Sequence, residues 1–182
     1  MSDDDFSLKP YLGSPLAGEG DTIISFPHYQ PRLELSPEKR FLIEPNLAKV
    51  IGSDPLETQI RRLGSHIHLF GHTHIPIDMK LDGVQYIQWP LGYFRESDKQ
   101  CAPIFNSGPL LFYDTDLGSG VDGLVKSRPS LDTWWSKYYQ MNARNPDDVV
   151  NLAPWVLNRL ASFSGLVYTN QKREQEANNA DR

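Results

Sequence analysis

Short apolar runs separated by turn residues dominate the first two thirds of the chain, a rhythm typical of an α/β fold. Residues 22–26 form a β-branched apolar run that Pro27 ends, which predicts a buried strand. Residues 67–70 predict a second short strand, which ends at Gly71. Asp82–Gly83 separates two further runs and predicts a β-hairpin, because an Asp-Gly pair favours the tight turn between antiparallel strands.

Helix signals lie between these strands. A helix is predicted to begin at Asp54, because aspartate is a good N-cap and Pro55 suits the first helical position. Glu57 completes a capping-box pattern, and Gly64 is a natural stop. Residues 110–113 predict one more strand.

The C-terminal third changes in character. Residues 131–164 carry tryptophan, tyrosine and leucine at helical spacings, which predicts two helices that pack an aromatic face onto the sheet. A partner-binding face is the alternative interpretation of the same residues. The predicted organisation is a flexible lead-in, an α/β region, a linker, aromatic-rich helices and a disordered tail, at residues 1–20, 21–114, 115–130, 131–168 and 169–182.

Composition narrows the classes of function. The net charge of the 182-residue chain is −5, which argues against nucleic acid or an anionic membrane as the main partner, since both call for a basic surface. No apolar run approaches the ~18 residues of a membrane span, and the acidic N-terminus lacks the layout of a signal peptide. Cys101 is the single cysteine and has no internal disulfide partner. These features predict a cytoplasmic protein.

Candidate chemistry is concentrated in the histidines, which include two His-x-His pairs within nine residues, His66/His68 and His72/His74. Imidazole is a common ligand for zinc, iron and manganese, and the second pair lies just beyond a predicted strand end. His28 also follows a predicted strand, so it should lie at the same edge of the sheet. For His66 a structural role is favoured. For His68 two interpretations stay open, a residue that orients a metal ligand and a core residue.

Two segments resemble the last two sequence blocks of the calcineurin-like metallophosphoesterases. They are Ser25–His28 (Ser-Phe-Pro-His) and Gly71–His74 (Gly-His-Thr-His). The surroundings are similar to one branch of that superfamily over about residues 22–114. The resemblance implies the second half of a four-layer α/β/β/α sandwich, with a mixed sheet and flanking helices.

The same resemblance implies a metal-dependent phosphoester hydrolase. Members of the family use two divalent ions of manganese, iron or zinc to hydrolyse a phosphoester substrate. By this likeness His28 and His72 would bind one ion and His74 the other. Arg32 and Arg95 are candidate phosphate ligands, because a guanidinium group matches the geometry of phosphate.

The family's earlier blocks, Asp-x-His, Gly-Asp at a strand end and Gly-Asn-His-Glu or Gly-Asn-His-Asp, do not occur in this sequence. Gly20–Asp21 runs directly into the strand that leads to His28, and we interpret it as a turn. Two ions held by three neutral histidines would keep four uncompensated positive charges. We therefore expect at most one weakly held ion, no activity of the chain alone, and a missing N-terminal half as its partner.

Half of such a sandwich is also expected to leave an apolar sheet face uncovered, unless residues 131–164 fold back to cover it. Two other hypotheses remain beside the hydrolase. One is a catalytically dead relic or interaction module that uses the aromatic C-terminal helices, and the other is a simple histidine-based metal-binding protein.

Overall fold

The computed structural model describes Gly18 and residues 20–44, 46–93 and 107–163. Arg95 and the predicted tail lie outside these residues, as does the predicted lead-in apart from Gly18 and Gly20. No helix within the described part of the chain combines the length and the apolar character needed to cross a membrane.

Four strands form one mixed sheet in the order β1–β2–β4–β3. They are β1 (Ile24–Ser25), β2 (Ile67–Leu69), β3 (Ile77–Leu81) and β4 (Val84–Gln88). β1, β2 and β4 run parallel, and β3 pairs with β4 in the antiparallel direction. The helices are α1 (Asp54–Arg62) and α2 (Trp134–Met141), and residues 154–163 are also helical. The predicted mixed α/β class is therefore confirmed, whereas the four-layer sandwich stays a prediction.

The predicted hairpin and the predicted helix α1 are both present, but the cap of α1 differs from the prediction. Asp82 and Gly83 both have positive φ, 46° and 89°, as the tight turn between β3 and β4 requires. α1 starts at Asp54 with a proline in its first turn, but its N-cap is Ser53. Glu57 closes no capping box and instead accepts a hydrogen bond from the Tyr86 hydroxyl at 2.8 Å.

Hydrophobic side chains cover both faces of the sheet, because alternate residues of β4 point to opposite sides. One cluster consists of Leu35, Phe70, Ile77, Val84 and Tyr86, with Met79, Leu81 and Trp135 against it. The other consists of Ile67, Ile87 and Leu124, with Ile24, Leu69, Leu110, Phe112, Tyr113 and Val121 against it. Among the described residues both faces therefore carry packed apolar side chains, and Trp135 contributes to one of them from within the segment 131–164.

Residues 110–130 differ from their prediction as a strand and a linker. Tyr113 makes a single antiparallel bridge with Leu124 in place of the strand expected at 110–113. The segment 115–130, predicted as a linker, forms short 3-10 turns, places Leu124 in the core and buries Arg128 against Asp78 of β3. A stretch rich in glycine, serine and aspartate thus packs through a few buried side chains.

Contacts divide the chain into two compact units. The first is Met1–Leu35 with Ile51–Asn142, and the second is Ser36–Val50 with Ala143–Arg182. Within the second unit the ring of Trp155 stacks on Phe41 at 5.9 Å between centroids, and its indole N–H donates to the Phe41 carbonyl oxygen at 3.0 Å. In the first unit, Trp135 of α2 packs on the sheet. The aromatic helices predicted at 131–168 are therefore divided between the two units.

Candidate functional site

The loops after β1 and β2 lie side by side, because these two parallel strands are neighbours. His28 follows the end of β1 by three residues, and His72 follows the end of β2 by three residues. The Gly71 N–H donates a hydrogen bond of 2.9 Å to the His28 carbonyl oxygen, which joins the two loops. Two histidines 44 positions apart in sequence therefore meet at the carboxyl edge of the sheet.

The facing nitrogens of this histidine pair are His28 Nε2 and His72 Nδ1, and they lie 3.3 Å apart. The two rings are nearly perpendicular, with an interplanar angle of 82°. Two nitrogens bound to one tetrahedral ion, each ~2.0–2.1 Å from it, are roughly 3.3–3.4 Å apart. The separation fits a shared ion, and without an ion the same two nitrogens form a hydrogen bond whose donor depends on the tautomers of the rings.

Tyr29 adds a third ring to the histidine pair. Its centroid lies 4.8 Å from that of His72 and 5.2 Å from that of His28, and the side chain is 51% exposed. Sequence reasoning missed this residue, although it stands directly after a candidate ligand. Because its ring contacts both imidazoles, Tyr29 restricts the orientations that they can adopt.

His74, the third predicted ligand, packs its ring edge-on against Tyr93 at 4.8 Å between centroids. Within the described ranges, no group of three or more histidine, cysteine, aspartate or glutamate residues is arranged to hold a metal ion. The structure thus pairs His28 with His72, and the metal-binding roles of all three histidines stay predictions.

The backbone of this segment is unusual at the histidines themselves. His72 and His74 have φ values of 71° and 55°, in the left-handed region that residues with a Cβ rarely adopt. Gly71, which precedes them, is not among the residues with positive φ. A Cβ at position 71 would lie 3.4 Å from His28 Nδ1, which is an ordinary contact distance, so the two loops pack directly against each other there. Strained backbone of this kind is concentrated at functional sites in proteins.

The strain can be measured by substitution. We expect His74→Gly to be more stable than His74→Ala by about 1 kcal/mol. Glycine adopts the left-handed conformation without the steric strain that a Cβ causes, and the larger backbone entropy that glycine loses on folding offsets part of this gain. Urea unfolding of both variants measures the difference. As a control, Lys80→Gly should be less stable than Lys80→Ala, since Lys80 lies in the regular strand β3. An alanine variant at position 74 as stable as the glycine variant would contradict the strain.

The other two histidines hold β1 and β2 together. His66 Nδ1 accepts a hydrogen bond from the Ile23 N–H at 3.1 Å, as expected of a structural residue. His68 is fully buried, its Nδ1 lies 2.8 Å from Ser25 Oγ, and its ring stacks near Phe70. Burial lowers the pKa of His68 to about 4, so the ring is neutral at pH 7. These contacts favour the interpretation of His68 as a core residue. Its side chain helps to hold together β1 and β2, the two strands that lead to His28 and His72.

Arg32, a candidate phosphate ligand, lies in an ion-pair network, and its phosphate-binding role stays a prediction. Its guanidinium lies 2.6 Å from Glu34 and from Asp82, and 3.5 Å from Glu57. The pKa of Arg32 is raised above its usual value, mainly by the hydrogen bond to Glu34 and also by the nearby carboxylates of Asp82 and Glu57. Asp82 precedes β4, at the opposite end of the parallel strands from the two histidines. Arg95, the other candidate, lies outside the described residues.

No model of a protein family matches this chain, and comparisons with characterised proteins and with solved structures find no match either.

Proposed function

We propose that this chain supplies part of the metal site of a phosphoester hydrolase of the calcineurin-like type. The observation that carries the proposal is the pair formed by His28 and His72. These side chains come from loops 44 positions apart, lie at the carboxyl edge of neighbouring parallel strands, and face each other with a nitrogen separation that fits one ion. The left-handed backbone at His72 and His74 supports a functional role for the same segment.

In this proposal His28 and His72 hold a divalent ion of zinc, manganese or iron, and His74 contributes to a second. When bound, such ions polarise phosphoryl oxygens and lower the pKa of water. The two imidazoles bind as neutral ligands, so they leave the charge of the ion uncompensated. The carboxylates that would offset it belong to family sequence blocks that do not occur in these 182 residues, and in this proposal an N-terminal half supplies them.

Zinc binding tests the proposal. Isothermal titration of the chain with Zn²⁺ should show weak binding of about one ion, because only two or three neutral ligands are present. His28→Ala and His72→Ala should each weaken that binding at least about 10-fold, since either change leaves a single imidazole of the pair. The matched control is His66→Asn, which removes an imidazole but keeps an acceptor for the Ile23 N–H. Equal binding by wild type and His72→Ala, or equal loss in His66→Asn, would contradict the proposal.

The same preparations separate the metal site from the activity. With Mn²⁺, Fe²⁺ or Zn²⁺ supplied, we expect no measurable hydrolysis of an aryl phosphate by the chain alone, for want of carboxylate ligands. Turnover that disappears in His72→Ala would support a hydrolase and overturn the assignment of the chain as half of a site.

A further inference from the structure

We infer that Gln88 is a positioning residue for the candidate metal site, because it holds the segment from His72 to Ile75 in the conformation that presents His72 to His28. The effect of Gln88 on metal affinity rests on the proposed function. The control of the segment's conformation by Gln88 can be measured without metal.

The contacts of Gln88 all lead to this segment. Gln88 is the last residue of β4 and its side chain is completely buried. Its Nε2 donates two hydrogen bonds, to Thr73 Oγ1 at 2.7 Å and to the Ile75 carbonyl oxygen at 2.6 Å. Thr73 lies between the two left-handed residues, His72 and His74. One side chain therefore fixes the middle and the end of the strained segment.

A strained conformation persists only where the surrounding structure imposes it. The free segment would relax to an ordinary backbone conformation, and that would move the His72 ring away from its partner. The two hydrogen bonds of Gln88 oppose this relaxation, since both acceptors keep their positions only if the segment stays in place. Hydrogen bonds made outside the ligands themselves orient ligands in this way at many metal sites.

The position of Gln88 in its strand argues that it is not a packing residue. Val84 and Tyr86 lie on the same face of β4 and belong to the hydrophobic cluster there, so the alternating pattern calls for an apolar residue at 88. A glutamine buried at such a position must satisfy its polar atoms, and Gln88 Oε1 is buried without a hydrogen-bond partner in the described structure. That cost is consistent with a residue kept for its N–H donors.

The test compares two identical substitutions in one strand. Gln88→Met removes the donors with little change of length, and Gln85→Met does the same to a buried glutamine that binds Asp78. Both variants should melt at lower temperature than wild type. We expect Gln88→Met to weaken Zn²⁺ binding about 10- to 100-fold, whereas Gln85→Met should bind within about twofold of wild type. Equal Zn²⁺ affinities of Gln88→Met and wild type, or equal losses in the two variants, would overturn the inference.

Variants of Thr73, whose hydroxyl accepts one of the two hydrogen bonds from Gln88, provide a second test in case Gln88→Met does not fold. Thr73→Val removes the hydroxyl at constant shape, and Thr73→Ser retains it. Thr73→Val should lose most of the Zn²⁺ affinity that Gln88→Met loses. The double variant Gln88→Met/Thr73→Val should bind Zn²⁺ little more weakly than Gln88→Met alone, and Thr73→Ser should bind it like wild type. A residue that only supported the fold would lower the melting temperature without this pattern, and similar affinities of the valine and serine variants would overturn the inference.

Amide hydrogen exchange without metal separates this inference from the proposed function. Gln88→Met should speed exchange at Thr73 and Ile75, because it releases the segment that carries these amides, and Gln85→Met should not. If wild type binds no Zn²⁺, the metal site is wrong, and faster exchange confined to Gln88→Met still supports the control of the segment by Gln88. Unchanged exchange in Gln88→Met would overturn that control whatever the zinc result.

Discussion

Arg128→Met is expected to lower the free energy of unfolding by about 3–5 kcal/mol, because it leaves the Asp78 carboxylate buried without its counter-ion. The guanidinium binds this carboxylate through two contacts, Nε to Oδ2 at 2.5 Å and Nη2 to Oδ1 at 2.7 Å. The two side chains are 5% and 0% exposed, so water does not screen the pair. Ser130 also donates to Asp78 Oδ2 at 2.5 Å, and Gln85 donates to Oδ1.

Urea unfolding of Arg128→Met measures the loss, with Lys137→Met as its control. Lys137 pairs with Asp132 at 3.0 Å, but both side chains are mostly exposed, so that substitution should change stability little. The double variant Arg128→Met/Asp78→Leu should recover much of the stability, since no unpaired charge stays buried. An Arg128→Met protein as stable as wild type would show that the ion pair with Asp78 contributes little to the packing of residues 115–130.

The second large effect is a loss of stability in acid through His68. Burial lowers the pKa of His68 from its ordinary 6.5 to about 4 in the folded protein. Between these values the unfolded chain takes up a proton and the folded chain does not, so stability falls as the pH drops from about 6.5 to 4. The full difference corresponds to about 3 kcal/mol.

Unfolding of wild type and His68→Asn at a series of pH values isolates this contribution. The variant removes the titrating ring and keeps a polar atom that can face Ser25 Oγ. Between pH 7 and pH 4 wild type should lose about 3 kcal/mol more than His68→Asn. Parallel stability curves for the two proteins would mean that His68 titrates alike in the folded and unfolded chains.

The features predicted correctly from sequence depend on local chemistry. The Asp82–Gly83 turn is specified by two residues that tolerate positive φ, and α1 is specified by a proline and a polar residue at its start. The meeting of His28 and His72 follows from a general property of parallel strands, whose carboxyl ends share one edge of the sheet.

The features that sequence reasoning missed depend on partners far along the chain. Arg128 and Asp78 are 50 positions apart, and nothing local distinguishes a buried arginine from a solvated one. The ion pairs of Arg32 with Glu34 and Asp82 were missed for the same reason, since the sequence around an arginine does not show which carboxylates it will contact. A predicted strand at 110–113 needs a neighbouring strand, and the fold provides a single bridge at Tyr113.

The measurement that tests the central claim most directly is the long-range ¹H–¹⁵N spectrum of the histidine rings as Zn²⁺ is added. It reports each ring nitrogen separately, so it distinguishes the atoms that face each other 3.3 Å apart from all others. The account predicts that His28 Nε2 and His72 Nδ1 change together, at the same zinc concentration, while His66 and His68 do not change. A spectrum in which neither of the two facing nitrogens responds, or in which His66 responds first, would contradict the metal site.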